Sequence, residues 1–211
     1  MTGVFHRTVT IQGPAGRLEG LYWTVAEPRP VMAVLVCHPH PLFGGTMHNK
    51  VVFQAAKTLH GLGLPVLRFN FRGAGLSQGQ HDKGNGELED VRAALDFLSA
   101  ECPGTPLLLA GFSFGAWVGL RAGCGDARVT RLIGLGIPAD KSDLGYLAGC
   151  RKPILLVQGA RDEFGRRAGV EDVAARIPGP KRVIFVEDAD HFFAGKLNAV
   201  GEAIRAWMRE L

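Results

Sequence analysis

Serine is scarce in this chain. Only four occur among 211 residues, Ser77, Ser99, Ser113 and Ser142, so chemistry that needs a serine has few candidates. Cys37, Cys102, Cys124 and Cys150 keep no metal-binding or redox spacing. Cys37 and Cys124 stand in apolar stretches that suit packed thiols. No apolar run approaches the roughly 20 residues of a membrane span, and no apolar segment follows a basic start as in a signal peptide. These absences lead us to expect no membrane partner and a reducing, cytoplasmic location. Repeats and low-complexity tracts are missing too. Net charge is a mild +4. The basic residues thicken only around Arg161, Arg166, Arg167, Lys181 and Arg182, without an aromatic-basic binding motif. That grouping reads as a solvated face, and no nucleic-acid partner is expected.

What is present is apolar and glycine-rich. Hydrophobic residues make up 46% of the chain and glycines number 29, suiting a core-forming fold with many strand–helix corners. The length fits one domain over residues 1–211. Val4–Ile11 and Leu18–Thr24 read as strands around a Gly13-Pro14-Ala15-Gly16 turn, followed by a loop punctuated by Pro28 and Pro30. Strands and helices then alternate. Strands are expected at Val31–Cys37, Val66–Phe71, Leu107–Phe112, Arg131–Ile137, Ile154–Gln158 and Arg182–Val186. Helices are expected at Asn49–Leu62, Glu87–Ala100, Phe114–Gly123 and Ala168–Ile177, with a closing helix striped by Leu197, Val200, Ile204, Trp207 and Leu211. Repeated strand–helix units imply an α/β class with a mostly parallel sheet and helices on both faces. Ligand sites in such sheets lie at the carboxyl ends of the strands.

Two of the four serines stand in Gly-x-Ser-x-Gly, and context separates them. Ser113 ends the apolar run Leu107–Phe112 and a helix follows at once, as a strand-to-helix elbow requires. Ser77 lies past its strand, in a segment that reads as loop, and is taken as a turn serine. A serine nucleophile needs a histidine base, and the base needs a carboxylate. His191 follows the apolar run Val183–Val186, and Asp162 follows Ile154–Gly159, so both fall at strand ends with Ser113. Among the other histidines, His6 lies in the N-terminal strand, and His48 and His60 flank or occupy the first helix. His81 is in a long loop, and His38 and His40 precede the nucleophile. Asp140, Asp143 and Glu163 remain rival acids; Asp188 and Asp190 are too close to His191 in sequence. The oxyanion donors are expected to be the backbone N–H of Phe114 and one from the loop His38–Gly45. Proline has no N–H, which removes Pro39 and Pro41 and leaves His40, with Leu42 as fallback. Leu42, Phe43, Trp117 and Phe192 are the candidate lining of a substrate pocket.

No cofactor is implied. His38 and His40 lack acidic or cysteine partners at metal spacing. Gly73-Ala74-Gly75 lacks the third glycine of a dinucleotide fingerprint, and Gly111–Gly115 lacks the lysine of a P-loop. No metal is expected either.

The chain resembles the α/β-hydrolase superfamily along essentially its whole length. Its nearest resemblance is to small lidless bacterial serine hydrolases of the dienelactone-hydrolase and short-chain esterase type. The carrying motifs are Cys37-His38-Pro39-His40-Pro41 with Gly44-Gly45, Asn49-Lys50-Val51, Arg68 to Ser77, Gly111 to Gly115, and Asp188 to Phe193. Asn70 stands where the family often has aspartate. The resemblance implies an α/β-hydrolase fold with about eight strands and no cap, since Pro138–Pro153 leaves no room for one. It further implies a carboxylesterase of small soluble substrates with Ser113, His191 and Asp162 as its triad. Thioesters, peptides and lactones would use the same machinery. A non-catalytic binding role is the remaining alternative. The sequence is silent on oligomeric state.

Overall fold

A computed structural model describes residues 6–26 and 30–210. Val4, Phe5, Pro28 and Leu211, part of the sequence reading, lie outside the described residues. The strands are β1 (His6–Gly13), β2 (Gly16–Trp23), β3 (Ala33–Cys37), β4 (Val66–Phe69), β5 (Leu107–Phe112), β6 (Val129–Leu135), β7 (Ile154–Gly159) and β8 (Lys181–Val186). The helices are α1 (Lys50–His60), α2 (Asn85–Glu101), α3 (Phe114–Gly125), α4 (Arg167–Arg176) and α5 (Leu197–Arg209). Every element expected from periodicity is found, with ends displaced by a few residues. Two short 3-10 turns, Pro41–Phe43 and Gly145–Gly149, were not foreseen.

The strands form one sheet in the order β1-β2-β4-β3-β5-β6-β7-β8. β2 pairs antiparallel with β1 and with β4, and every other pairing is parallel. The continuous apolar strands explain why both faces are covered. Side chains alternate across a strand, so Val34 and Val36 pack under α1 and α5, while Leu35 and Cys37 face the opposite layer of α2, α3 and α4. Leu108 and Ala110 divide from Leu107 and Leu109 in the same way, as do Leu155 and Val157 from Ile154 and Leu156.

β3 and β4 are shorter than the apolar pattern suggests. Val31 is exposed, and pairing with β5 begins at Ala33. β4 ends at Phe69 because the Phe71 N–H donates to the ring of His38 at 2.9 Å instead of to a neighbouring strand. α1 starts one residue late because Asn49 is its N-cap, its Oδ1 accepting the Val51 N–H.

The chain runs outward from β3 to β4 and then returns across β3 to β5. The crevice between β3 and β5 is therefore the switch point of the sheet, where open α/β folds place their ligands. The loops after β3 and β5 carry His40 and Ser113. Between β6 and β7 stands only the Gly145–Gly149 turn, so no cap is inserted there.

Candidate active site

Ser113 has φ 55° and ψ −119°, a left-handed backbone that a non-glycine residue adopts only at a cost of about 1–3 kcal/mol. The strain turns the chain from β5 into α3 and lifts the hydroxyl clear of the sheet. Both flanking glycines are needed for space. A Cβ on Gly111 would collide with the Gly115 carbonyl, and one on Gly115 with the carbonyls of Cys37 and His38. Gly-x-Ser-x-Gly is here a packing requirement between β5, α3 and the end of β3.

The Ser113 Oγ lies 2.9 Å from His191 Nε2, and His191 Nδ1 lies 2.7 Å from Asp162 Oδ2. A carboxylate can only accept, so Nδ1 carries the hydrogen and Nε2 is left to accept the serine hydroxyl. The rival acids are engaged elsewhere. Asp140 accepts from Arg166, Asp143 caps the Gly145 N–H, and Asp190 accepts the Ala194 N–H. Asp188 pairs with Arg161, and Glu163 is exposed.

Asp162 is held by more than its histidine. Its Oδ1 accepts the N–H groups of Phe164 (2.8 Å) and Gly165 (3.2 Å). Its Oδ2 also accepts from Gln158 Nε2 at 2.7 Å. Gln158 is fully buried on β7, and its Oε1 accepts the Ile137 N–H at 2.8 Å. That bond fixes which end of the amide faces Asp162. Sequence reading passed over Gln158 because it ends an apolar strand like any boundary residue. A polar side chain inside such a run was its one visible signal.

Two N–H groups remain beside Ser113 without a protein acceptor among the described residues, those of Phe114 and His40. The Phe114 N–H opens α3, where the helix dipole favours negative charge. The fallback donor is spent, because the Leu42 N–H donates to His40 Nδ1 at 3.2 Å. His38 is buried behind this loop. Its Nε2 accepts from Phe71, so its Nδ1–H donates to the Pro39 carbonyl at 2.6 Å. The peptide that leads into His40 is thereby anchored to the end of β4.

A cavity of about 490 Å³ opens over Ser113. Phe43, Trp117 and Phe192, singled out from the sequence, line it together with Phe114 and Phe164. Leu42 does not. The 3-10 turn at Pro41–Phe43 directs its side chain outward, where it is 68% exposed. His81, set aside as a loop residue, proves to be a wall of the cavity, its ring centroid 4.7 Å from that of His40. His191 is packed among Phe112, Phe164 and Phe192 at 4.5–5.2 Å. Ser77 is structural. It is buried, donates to the Asn70 carbonyl at 2.7 Å and accepts the Glu19 N–H at 2.9 Å. Asn70 in turn bonds Glu19 and the Met47 N–H. No group of three or more metal-ligating side chains occurs among the described residues.

The alpha/beta hydrolase domain family matches residues 33–207. The chain belongs to the alpha/beta-hydrolase family. Among solved structures it is similar to an alpha-beta serine hydrolase homologue from Coxiella burnetii, at 38% identity and TM-score 0.87 over 95% of this chain and 96% of that one. A serine hydrolase without lid from Xanthomonas campestris is 35% identical with TM-score 0.86, covering 97% of both chains. A protein of unknown function from Agrobacterium tumefaciens is 32% identical with TM-score 0.91, covering 96% and 95%. Ser113, Asp162 and His191 follow one another along the chain in the order that alpha/beta hydrolases use for nucleophile, acid and base. The uninterrupted passage from β6 to β7 agrees with the lidless character of the Xanthomonas relative.

Proposed function

We propose that this alpha/beta hydrolase is a carboxylesterase of small substrates that works through an acyl-enzyme on Ser113. The observation that carries the reading is the unbroken hydrogen-bonded line from Ser113 Oγ through His191 to Asp162, at 2.9 and 2.7 Å. In the proposed cycle, Ser113 attacks the ester carbonyl while His191 Nε2 takes its proton. Asp162 holds the ring and offsets the charge that develops on it. The N–H groups of Phe114 and His40 receive the oxyanion. His191 then returns the proton to the leaving alcohol, and water discharges the acyl group by the same path. No step calls for a metal or organic cofactor.

The aromatic walls and the 490 Å³ volume suit a short acyl chain or a single ring. The test is hydrolysis of p-nitrophenyl esters of increasing acyl length, beside Ser113→Ala. Short esters should be cleaved, and the variant should lose about 10⁴-fold or more in kcat. Retained turnover in folded Ser113→Ala would remove Ser113 from the mechanism.

A further inference from the structure

Lys83 and Lys141 line the cavity over Ser113, and among the described residues no aspartate or glutamate does. The loops that carry the two lysines meet on the edges of Trp117. Gly84, next to Lys83, leaves the space that the indole fills, and the indole Nε1–H donates to the Asp143 carbonyl at 2.9 Å, two residues beyond Lys141.

The nearby carboxylates are committed elsewhere. Asp140 feels the Lys141 charge, but its carboxylate is bound by Arg166. Asp143 caps Gly145, and Glu87 accepts the N–H groups of Asp82 and Gly84 with His81 beside it. Asp82 makes no ion pair with either lysine. Both ammonium groups are therefore without an ion-pair partner among the described residues. Lys83 also holds φ 52° directly before Gly84 at φ 94°. Glycine would occupy that position at lower cost, so the side chain is retained there against a backbone preference.

We propose that the ester this site prefers carries a carboxylate, which Lys83 and Lys141 meet beside Trp117 while the ester carbonyl lies on Ser113. This inference rests on the esterase reading above. A phosphate is the poorer fit, because no arginine fork lines the cavity and the N-terminus of α3 faces the oxyanion.

Two matched pairs of esters test it. Mono-p-nitrophenyl glutarate against p-nitrophenyl pentanoate puts the charge on the acyl side. The acetate of 4-hydroxyphenylacetate against that of 4-methylphenol puts it on the alcohol side. In one pair the anionic ester should show a kcat/KM about tenfold higher at low salt, shrinking toward equality in 0.5 M sodium chloride. Lys83→Gln with Lys141→Gln should bring that ratio to about one, and Lys83→Arg with Lys141→Arg should restore it. Turnover of the neutral esters with no preference in either pair overturns the inference and leaves the esterase reading standing. If none of the four esters is cleaved, the esterase reading has failed. Titration with glutarate and with inorganic phosphate then decides the lysine site alone: binding of glutarate that the double glutamine variant abolishes sustains it. Binding of neither anion, or of phosphate only, overturns it.

Discussion

His38 shows how far a single side chain can be bent to a structural task. It is wholly buried, and burial holds its pKa down to about 4. Both ring nitrogens are spent, one accepting from Phe71 and the other donating to the Pro39 carbonyl. The consequence is a stability that depends on pH. The unfolded chain takes up a proton at His38 near pH 6.5, whereas the folded chain resists until about pH 4. The stabilisation is fully present above pH 6.5 and is lost progressively as pH falls toward 4, by about 3 kcal/mol at most. Urea unfolding at pH 7.5 and 4.5 should show this loss in the parent chain. His38→Gln should be less stable at pH 7.5 but change less between the two values. An equal change in both proteins would mean that His38 does not carry the effect. At this scale the sequence was read unevenly. Ser113 directly follows an apolar strand, and Asp162 and His191 come within a short loop of theirs, so their convergence could be inferred from strand direction. Gln158, His81, Lys83 and Lys141 reach the site through three-dimensional packing that no local pattern announces. Leu42 was misplaced because a 3-10 turn, too short to have a period, decides which way it points.

Among the elements, the junction of β3, β5 and α3 bears the site. α3 can approach β3 only because Gly115 has no side chain. A Cβ there would stand 2.5 Å from the Cys37 carbonyl oxygen and closer still to that of His38. Neither atom can give way, since both belong to the backbone around the buried end of the central strand. Gly115→Ala should therefore cost about 3 kcal/mol or more, or prevent folding. Gly125→Ala, at the far end of the same helix with open space around it, should be close to neutral. Comparing urea midpoints of the two variants isolates the elbow from helix propensity. A Gly115→Ala protein as stable as the parent would contradict the packing described here. The elements themselves were legible because β5 is an unbroken apolar run, β7 is apolar from Ile154 to Val157, and α5 carries a clean stripe. Their ends were not, because Asn49 capping and the Phe71–His38 bond are decided by single hydrogen bonds.

For the whole molecule, the sheet order and the absence of an insertion between β6 and β7 leave the switch-point crevice open to solvent. The described helices include none long and apolar enough to cross a membrane. The cavity over Ser113, of about 490 Å³, has aromatic walls and is lined by Lys83 and Lys141, neither of which has an ion-pair partner among the described residues; on the proposals above it would choose its ester by size and charge. The proposed esterase activity depends on Ser113 being the nucleophile that His191 and Asp162 activate. A fluorophosphonate reacts with such a serine and not with an ordinary hydroxyl. The decisive measurement is therefore to treat the protein with the probe and map the adduct by peptide mass spectrometry. One adduct is expected, on Ser113, and it should disappear in His191→Ala. An unlabelled protein, or an adduct on Ser142 across the cavity with Ser113 untouched, would contradict the account.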